Sequence, residues 1–300
     1  MLLTPSGRRS RYAAVLALTL ALVAGVTAWA FTDRSPAAAP PAGRATTSPA
    51  ELSERLPFYA LLQDREGTQR NIVLAQRKLT VACMAKRGFT YRPVAMVSAA
   101  ATAGEHATPF GPESLADLTP AEPQAPPSEK PESQAFTRAL FGDSENRISA
   151  KGKLVTVTRP ADGCQAEAEK HLLGDQRVRW LELRIQLGEG DKEARQQLEK
   201  DPAFRAANAR WSTCMRAAGS DAKDPTSLLY GLPRGTDLAK SPAVRADVRC
   251  KDETDYLSTA YTRLRAVQQT WLNRHTEALT AWNALQRSQG EIAGEVLGLR

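Results

Sequence analysis

Apolar positions recur every three or four residues through most of this chain, a spacing that places them on one face of successive helices. Ile72, Ala75, Leu79 and Cys83 mark one such face, in a pattern that restarts at Gly67-Thr68 after a break at Pro57 and ends at Gly88. Val178, Leu181 and Ile185 mark a second, which should stop near Leu187 at Gly188 and Gly190, with Asp191 capping the next helix. Phe204, Ala207, Trp211, Cys214, Met215 and Ala218 form a third, entered through Asp201-Pro202 and closed by Gly219. Asp or Ser before Pro is a start signal. Its side chain accepts free N–H groups of the first turn, and proline at the first helical position gives up no bond. Ser48-Pro49 and Ser241-Pro242 carry the same signal. Beyond Ser241, Leu257, Leu264, Trp271, Ala278, Leu285 and Ile292 recur every seven residues, with Tyr261, Val267, His275 and Trp282 between them. That repeat predicts one long C-terminal helix whose seam packs against a neighbour, largely within the chain.

Between these patterns the periodicity fails in informative ways. Residues 154–158 alternate as Leu-Val-Thr-Val-Thr, the one credible strand, to be paired near Ile148. Residues 135–142 read as a short helical turn, and residues 220–240 as a loop with an apolar patch at 228–232. Residues 94–133 hold alanine runs and seven prolines, among them Pro109, Pro112 and Pro131, with few large apolar groups. Such a stretch buries too little surface to offset its ordering entropy, so a disordered insertion is expected, with a ligand-covering loop as the functional alternative. The fold class is therefore mainly α: a disulfide-stapled helical bundle with a long heptad helix, at most one small β-hairpin and a Pro/Ala-rich insertion.

The cysteines organise the rest. Cys-Met leads to a glycine five residues after the cysteine at Cys83–Gly88 and again at Cys214–Gly219, and each copy is followed by a loop and one further cysteine, Cys164 or Cys250, at the head of another helical pattern. This is a duplicated unit, covering about 68–188 and 191–290. Four cysteines allow three pairings. The duplication selects Cys83 with Cys164 and Cys214 with Cys250.

The N-terminus sets the compartment in which such bridges persist. Residues 1–11 carry Arg8, Arg9 and Arg11, and residues 12–32 carry no charge until Asp33 and Arg34. About 20 apolar residues suffice to cross a bilayer, and the arginines hold the leading end in the cytoplasm. Ala28-Trp29-Ala30 offers a cleavage site, which would release a secreted protein; the apolar run exceeds an ordinary signal-peptide core, which favours an uncleaved anchor. Residues 33–47 (with Pro36, Pro40 and Pro41) form a tether, and the domain outside the membrane spans 48–300. With only eleven residues before the apolar run, a sensory ectodomain would have to signal through a partner.

Composition removes several function classes. Hydrophobic residues make up 42% but aromatics only 6%, so the core must be built mainly of Ala, Leu and Val. The formal charge of +7 falls to a mild basic excess once the arginines flanking the apolar run are set aside. There is no concentrated basic stripe interleaved with aromatics, so nucleic acid is not an expected partner. His106, His171 and His275 are scattered and in no recognised ligand arrangement, the cysteines lack redox spacing, and no nucleophile or phosphate-loop motif occurs. No catalytic residue, metal or cofactor is expected. Trp211, Trp271 and Trp282 sit at core spacing, and Trp180 is expected to be partly exposed. Trp180, Leu257, Leu264, Trp271 and Trp282 together mark the expected interaction surface.

Cys83-Met84 to Gly88-Phe89, Tyr91, Ala139-Leu140 with Gly142, Gly163-Cys164 with Glu167-Ala168, Trp211 with Cys214-Met215 to Gly219, and Asp247 with Cys250 resemble a pattern in a group of actinobacterial exported proteins of unknown function. Ser220 departs from it, standing where that group tends to carry an aromatic. The resemblance covers about residues 50–260 and implies export and disulfides, with no activity attached. The expected function is a membrane-anchored module binding a protein partner or the cell envelope, with an enzyme acting on a wall polymer or exported peptide as the alternative.

Overall fold

The computed structural model describes residues 51, 56–62, 67–93, 109–115 and 133–299. The apolar run 12–32, the tether 33–47, the Ser48 cap and residues 94–108 and 116–132 of the expected insertion lie outside them.

The described elements run α1 (Pro57–Leu62), α2 (Gly67–Lys86), α3 (Gln134–Phe141), β1 (Arg147–Lys151), β2 (Thr156–Pro160), α4 (Gly163–Leu173), a 3-10 turn (Gly174–Gln176), α5 (Arg177–Leu198), α6 (Pro202–Ala217), α7 (Pro225–Gly231), α8 (Pro242–Glu253), α9 (Tyr256–Arg274) and α10 (Thr276–Leu297). The fold is a helical bundle with one antiparallel hairpin, in which Ile148 faces Arg159 and Lys151 faces Thr156. Helix α9 packs on α5 and α6, α10 packs on α2, and α4 packs on α2 and α3. Among the described residues no helix is long and apolar enough to cross a membrane.

Local chemistry explains the helix starts. Asp201 accepts from the N–H groups of Ala203 and Phe204, and Ser241 accepts from Val244, each with proline next in line. The expected loop at 220–240 contains α7, because Asp224 and Ser227 form a reciprocal capping box on either side of Pro225. Leu228, from the anticipated apolar patch, is thereby turned into the core.

The seven-residue repeat is buried at Leu257, Leu264 and Ala278 and half-buried at Trp271, Leu285 and Ile292, but the single long helix is not continuous. Pro242 starts α8, which ends at Glu253; Asp255 adopts a left-handed conformation at φ 49°. A second break falls at His275. Its N–H bonds the Leu272 carbonyl, and its Nδ1 lies 2.8 Å from the Trp271 carbonyl. A carbonyl only accepts, so Nδ1 carries the proton, and the imidazole stands in for the helix bond that Trp271 lacks. The ring stacks on the Trp271 indole at 3.8 Å. Leu257 and Leu264 (0% exposed) thus belong to α9 and Trp282 (1%) to α10, all facing the interior.

Helix α5 corrects a second expectation. It passes straight through Gly188 and Gly190 to Leu198. Gly190 is a packing notch: a Cβ there would lie 2.5 Å from the Trp271 ring. Asp191 is accordingly no cap. Inside the helix it accepts from Gln268 Nε2 at 2.7 Å and Arg195 Nε at 3.0 Å. The expected strand is shifted for a similar reason. Leu154 and Val155 are exposed in the hairpin turn, where Glu189 accepts the N–H groups of Lys153 and Leu154 at 3.0 and 2.6 Å.

Two ion-paired clusters fix the hairpin and the middle of the bundle. Glu169 bonds both Arg159 and Arg177, and Arg177 also donates to the Pro160 carbonyl at 2.8 Å. Arg263 on α9 donates to Asp201, so the cap of α6 is also a tie to its neighbour.

Candidate functional site

Both disulfides form between the expected partners: Cys83–Cys164 and Cys214–Cys250, with Cα separations of 5.5 and 5.7 Å, inside the range a bridge needs. Every described cysteine is paired. The two corners match closely on the Cys-Met side. In each, the chain leaves the helix through a glycine with positive φ (Gly88, 82°; Gly219, 83°), and the next N–H returns to the methionine carbonyl, Phe89 to Met84 and Ser220 to Met215. Met84 and Met215 are both fully buried. Each leading cysteine also lies beside the glutamate three residues beyond its partner, Glu167 or Glu253.

Beyond the bridge the copies diverge. Cys164 opens α4 as expected, whereas Cys250 lies near the end of α8 and does not head a helix. The first corner closes over Phe136, which meets Phe89 edge-on at 5.6 Å. Beside it an open cleft of about 370 Å³ is lined by Arg87, Arg138, Asp143 and Asp162. These charges are already matched: Arg87 with Glu167, Arg138 with Asp143, and Asp162 with the Asp143 N–H. That N–H, with Asn146, holds the Asp162 carboxyl below its ordinary range.

The second corner is chemically different. Asp247 and Lys251, one turn apart on α8, form an ion pair at 2.7 Å with both side chains fully buried. Trp211 Nε1 donates to the other Asp247 oxygen at 2.9 Å. Burial pushes the Asp247 carboxyl up, against the opposing pull of Lys251 and the two hydrogen bonds. The Tyr256 phenol is raised by burial and by the nearby Asp224 and Asp247. At the same offsets from its cysteine, three before and one after, the first unit has Ala161 and Gln165. A buried ion pair is a poor route to stability. The first Cys-Met corner closes with no ion pair at these positions, so the pair beside the second bridge requires a separate reason.

Segment 109–115 supplies that reason. It belongs to the stretch expected to be disordered, yet Phe110 is 5% exposed and sits in a cage of Tyr261, Tyr256 and Phe204, with ring centroids at 5.1, 6.0 and 6.0 Å. Lys251 donates to the Pro112 carbonyl at 2.6 Å, and the Tyr261 hydroxyl donates to Glu113. Gly111 turns at φ 74°, and a Cβ on it would meet Leu229 at 3.1 Å. The buried charge therefore grips a backbone carbonyl from a distant part of the chain. The sequence signal was present in Phe110-Gly111-Pro112, the one aromatic-turn motif in a run of alanine and proline.

The expected interaction surface does not form. Leu257, Leu264 and Trp282 are core residues. Trp271 and Trp180 are half-buried: Trp271 bonds Glu193 at 2.6 Å, and Trp180 stacks on Trp282 with Arg159 and Arg184 within 6 Å of its ring. The Trp271 ring also meets Phe58 at 5.4 Å and His275 at 3.8 Å. Among the described residues no group of His, Cys, Asp and Glu could hold a metal ion. No family model, curated protein or solved structure matches the chain.

Proposed function

We propose that this protein is an extracytoplasmic helical module, tethered to the membrane by residues 12–32, that works by binding a protein partner and not by catalysis. The observation that carries the compartment is the pair of formed disulfides, closing stretches of 81 and 36 residues. Bridges of this kind persist in oxidising environments and are rare in the cytosol. The charge-free run at 12–32, preceded by three arginines, supplies the tether and its orientation. The resemblance to exported actinobacterial proteins in the Cys-Met segments points the same way.

Binding is favoured because the buried charges serve as clamps. Asp247 and Lys251 hold Trp211 and a carbonyl, Glu169 holds Arg159 of the hairpin and Arg177 of α5, and Asp201 caps one helix while fastening another. A catalytic acid or base must change its proton during turnover, and these groups would release their partners on doing so.

The test is topological. Full-length chain in a bacterial host should resist extraction from membranes at alkaline pH, be cut by protease added outside the cell, and take up a maleimide only after reduction. Deletion of residues 12–32 should abolish all three. Maleimide labelling of the unreduced chain inside intact cells contradicts the proposal.

A further inference from the structure

We infer that the slot on the second unit is a peptide-recognition site, and that segment 109–115 is its tethered ligand, held in the place of a partner strand of the order aromatic-Gly-Pro-acidic. This deepens the binding role proposed above by naming its site, although the geometry itself does not depend on the membrane tether.

Each position of the segment is read by a separate feature. The aromatic cage selects Phe110. The next position must be glycine, both for its positive φ and because Leu229, Lys251 and the Pro225 carbonyl lie within 3.7 Å of where a Cβ would project. Lys251 takes the Pro112 carbonyl, and Tyr261 takes the carboxylate of Glu113. Main-chain capture together with an aromatic anchor is how recognition grooves hold short peptides, with side-chain pockets adding specificity. Burial then ends abruptly, since Leu115 is 48% exposed. The reader, Asp247 and Lys251, stands where the first unit has Ala161 and Gln165.

A tethered ligand competes at an effective concentration on the order of millimolar, so an outside strand binds measurably only when the internal one is displaced. The experiment replaces residues 109–115 of the full-length chain with a Gly/Ser linker of equal length. A fluorescein-labelled peptide Pro-Phe-Gly-Pro-Glu-Ser-Leu is then titrated against both forms. The replaced chain should bind it saturably, and the intact chain at least about tenfold more weakly. Peptides altered at the phenylalanine or the glycine, or a Lys251→Met slot, should lose about tenfold or more.

Absence of binding by a replaced chain that keeps its helical content overturns the inference, as does equal binding to both forms. If the replaced chain does not fold, protease sites placed on either side of the segment in the intact chain give the answer. Exchange of the cut segment for labelled peptide supports a ligand; retention of the segment without exchange makes it part of the core and overturns it. Concentration-dependent dimers in which copies swap the segment also overturn it, assigning the slot to a second copy. None of these failures touches the membrane topology, which is read separately by protease and maleimide.

Discussion

Lys251 shows what a single residue does in this molecule. Its ammonium is removed from water, and Asp247 and the Pro112 carbonyl stand in close contact in place of that hydration. Removing one partner of such a pair leaves the other charge stranded, at a cost of about 3–5 kcal/mol. Lys251→Met should therefore destabilise the fold by that order in urea melts. The double variant Asp247→Asn with Lys251→Met should recover most of the loss, because both charges leave together and the amide oxygen still accepts from Trp211. Asp201 gives a residue-scale test in pH. Its carboxyl is held below the ordinary 3.8 chiefly by Arg263, with help from the Phe204 and Ala203 N–H groups. A depressed carboxyl contributes stability that is fully present above its unfolded pKa and is lost as pH falls through the folded value. Thermal melts of Asp201→Asn should thus differ from wild type at neutral pH and converge toward it in acid below about pH 4.

At the scale of elements, the sequence was legible where a local rule decides and misleading where a distant neighbour does. Asp201-Pro202 and Ser241-Pro242 start helices because the caps act within one turn. The Cys-Met-to-Gly turns close as they do because glycine alone supplies the positive φ cheaply. Gly188 and Gly190 misled because nothing in the local pattern reveals that the Trp271 indole will occupy the space beside residue 190. Gly190→Ala should accordingly destabilise by about 1–3 kcal/mol, the usual penalty for overpacking, despite the better helix propensity of alanine. His275 misled in the opposite way, keeping an apolar repeat intact across a break. The interaction surface assigned from that repeat failed for the same cause: a heptad stripe reports that a face is buried and does not say whether the covering element belongs to the same chain. Segment 109–115 was hidden because composition averages over forty residues, while docking needs one phenylalanine and a cage assembled from α6 and α9.

The whole molecule depends on its two staples. With aromatics scarce, bridges closing 81 and 36 residues should each contribute about 4–5 kcal/mol in the chain-entropy picture. Replacing either pair with serine should lower stability by that order, the first bridge having the larger effect because its loop is longer. The proposed export and the stapled architecture both require the two sulfur–sulfur bonds to be present in the cell. The most direct measurement is peptide mapping of the chain isolated from cells whose thiols are blocked at lysis, without reduction. The account predicts two linked peptides, one joining Cys83 to Cys164 and one joining Cys214 to Cys250. Four blocked thiols, or a link between the two duplicated units, would contradict it.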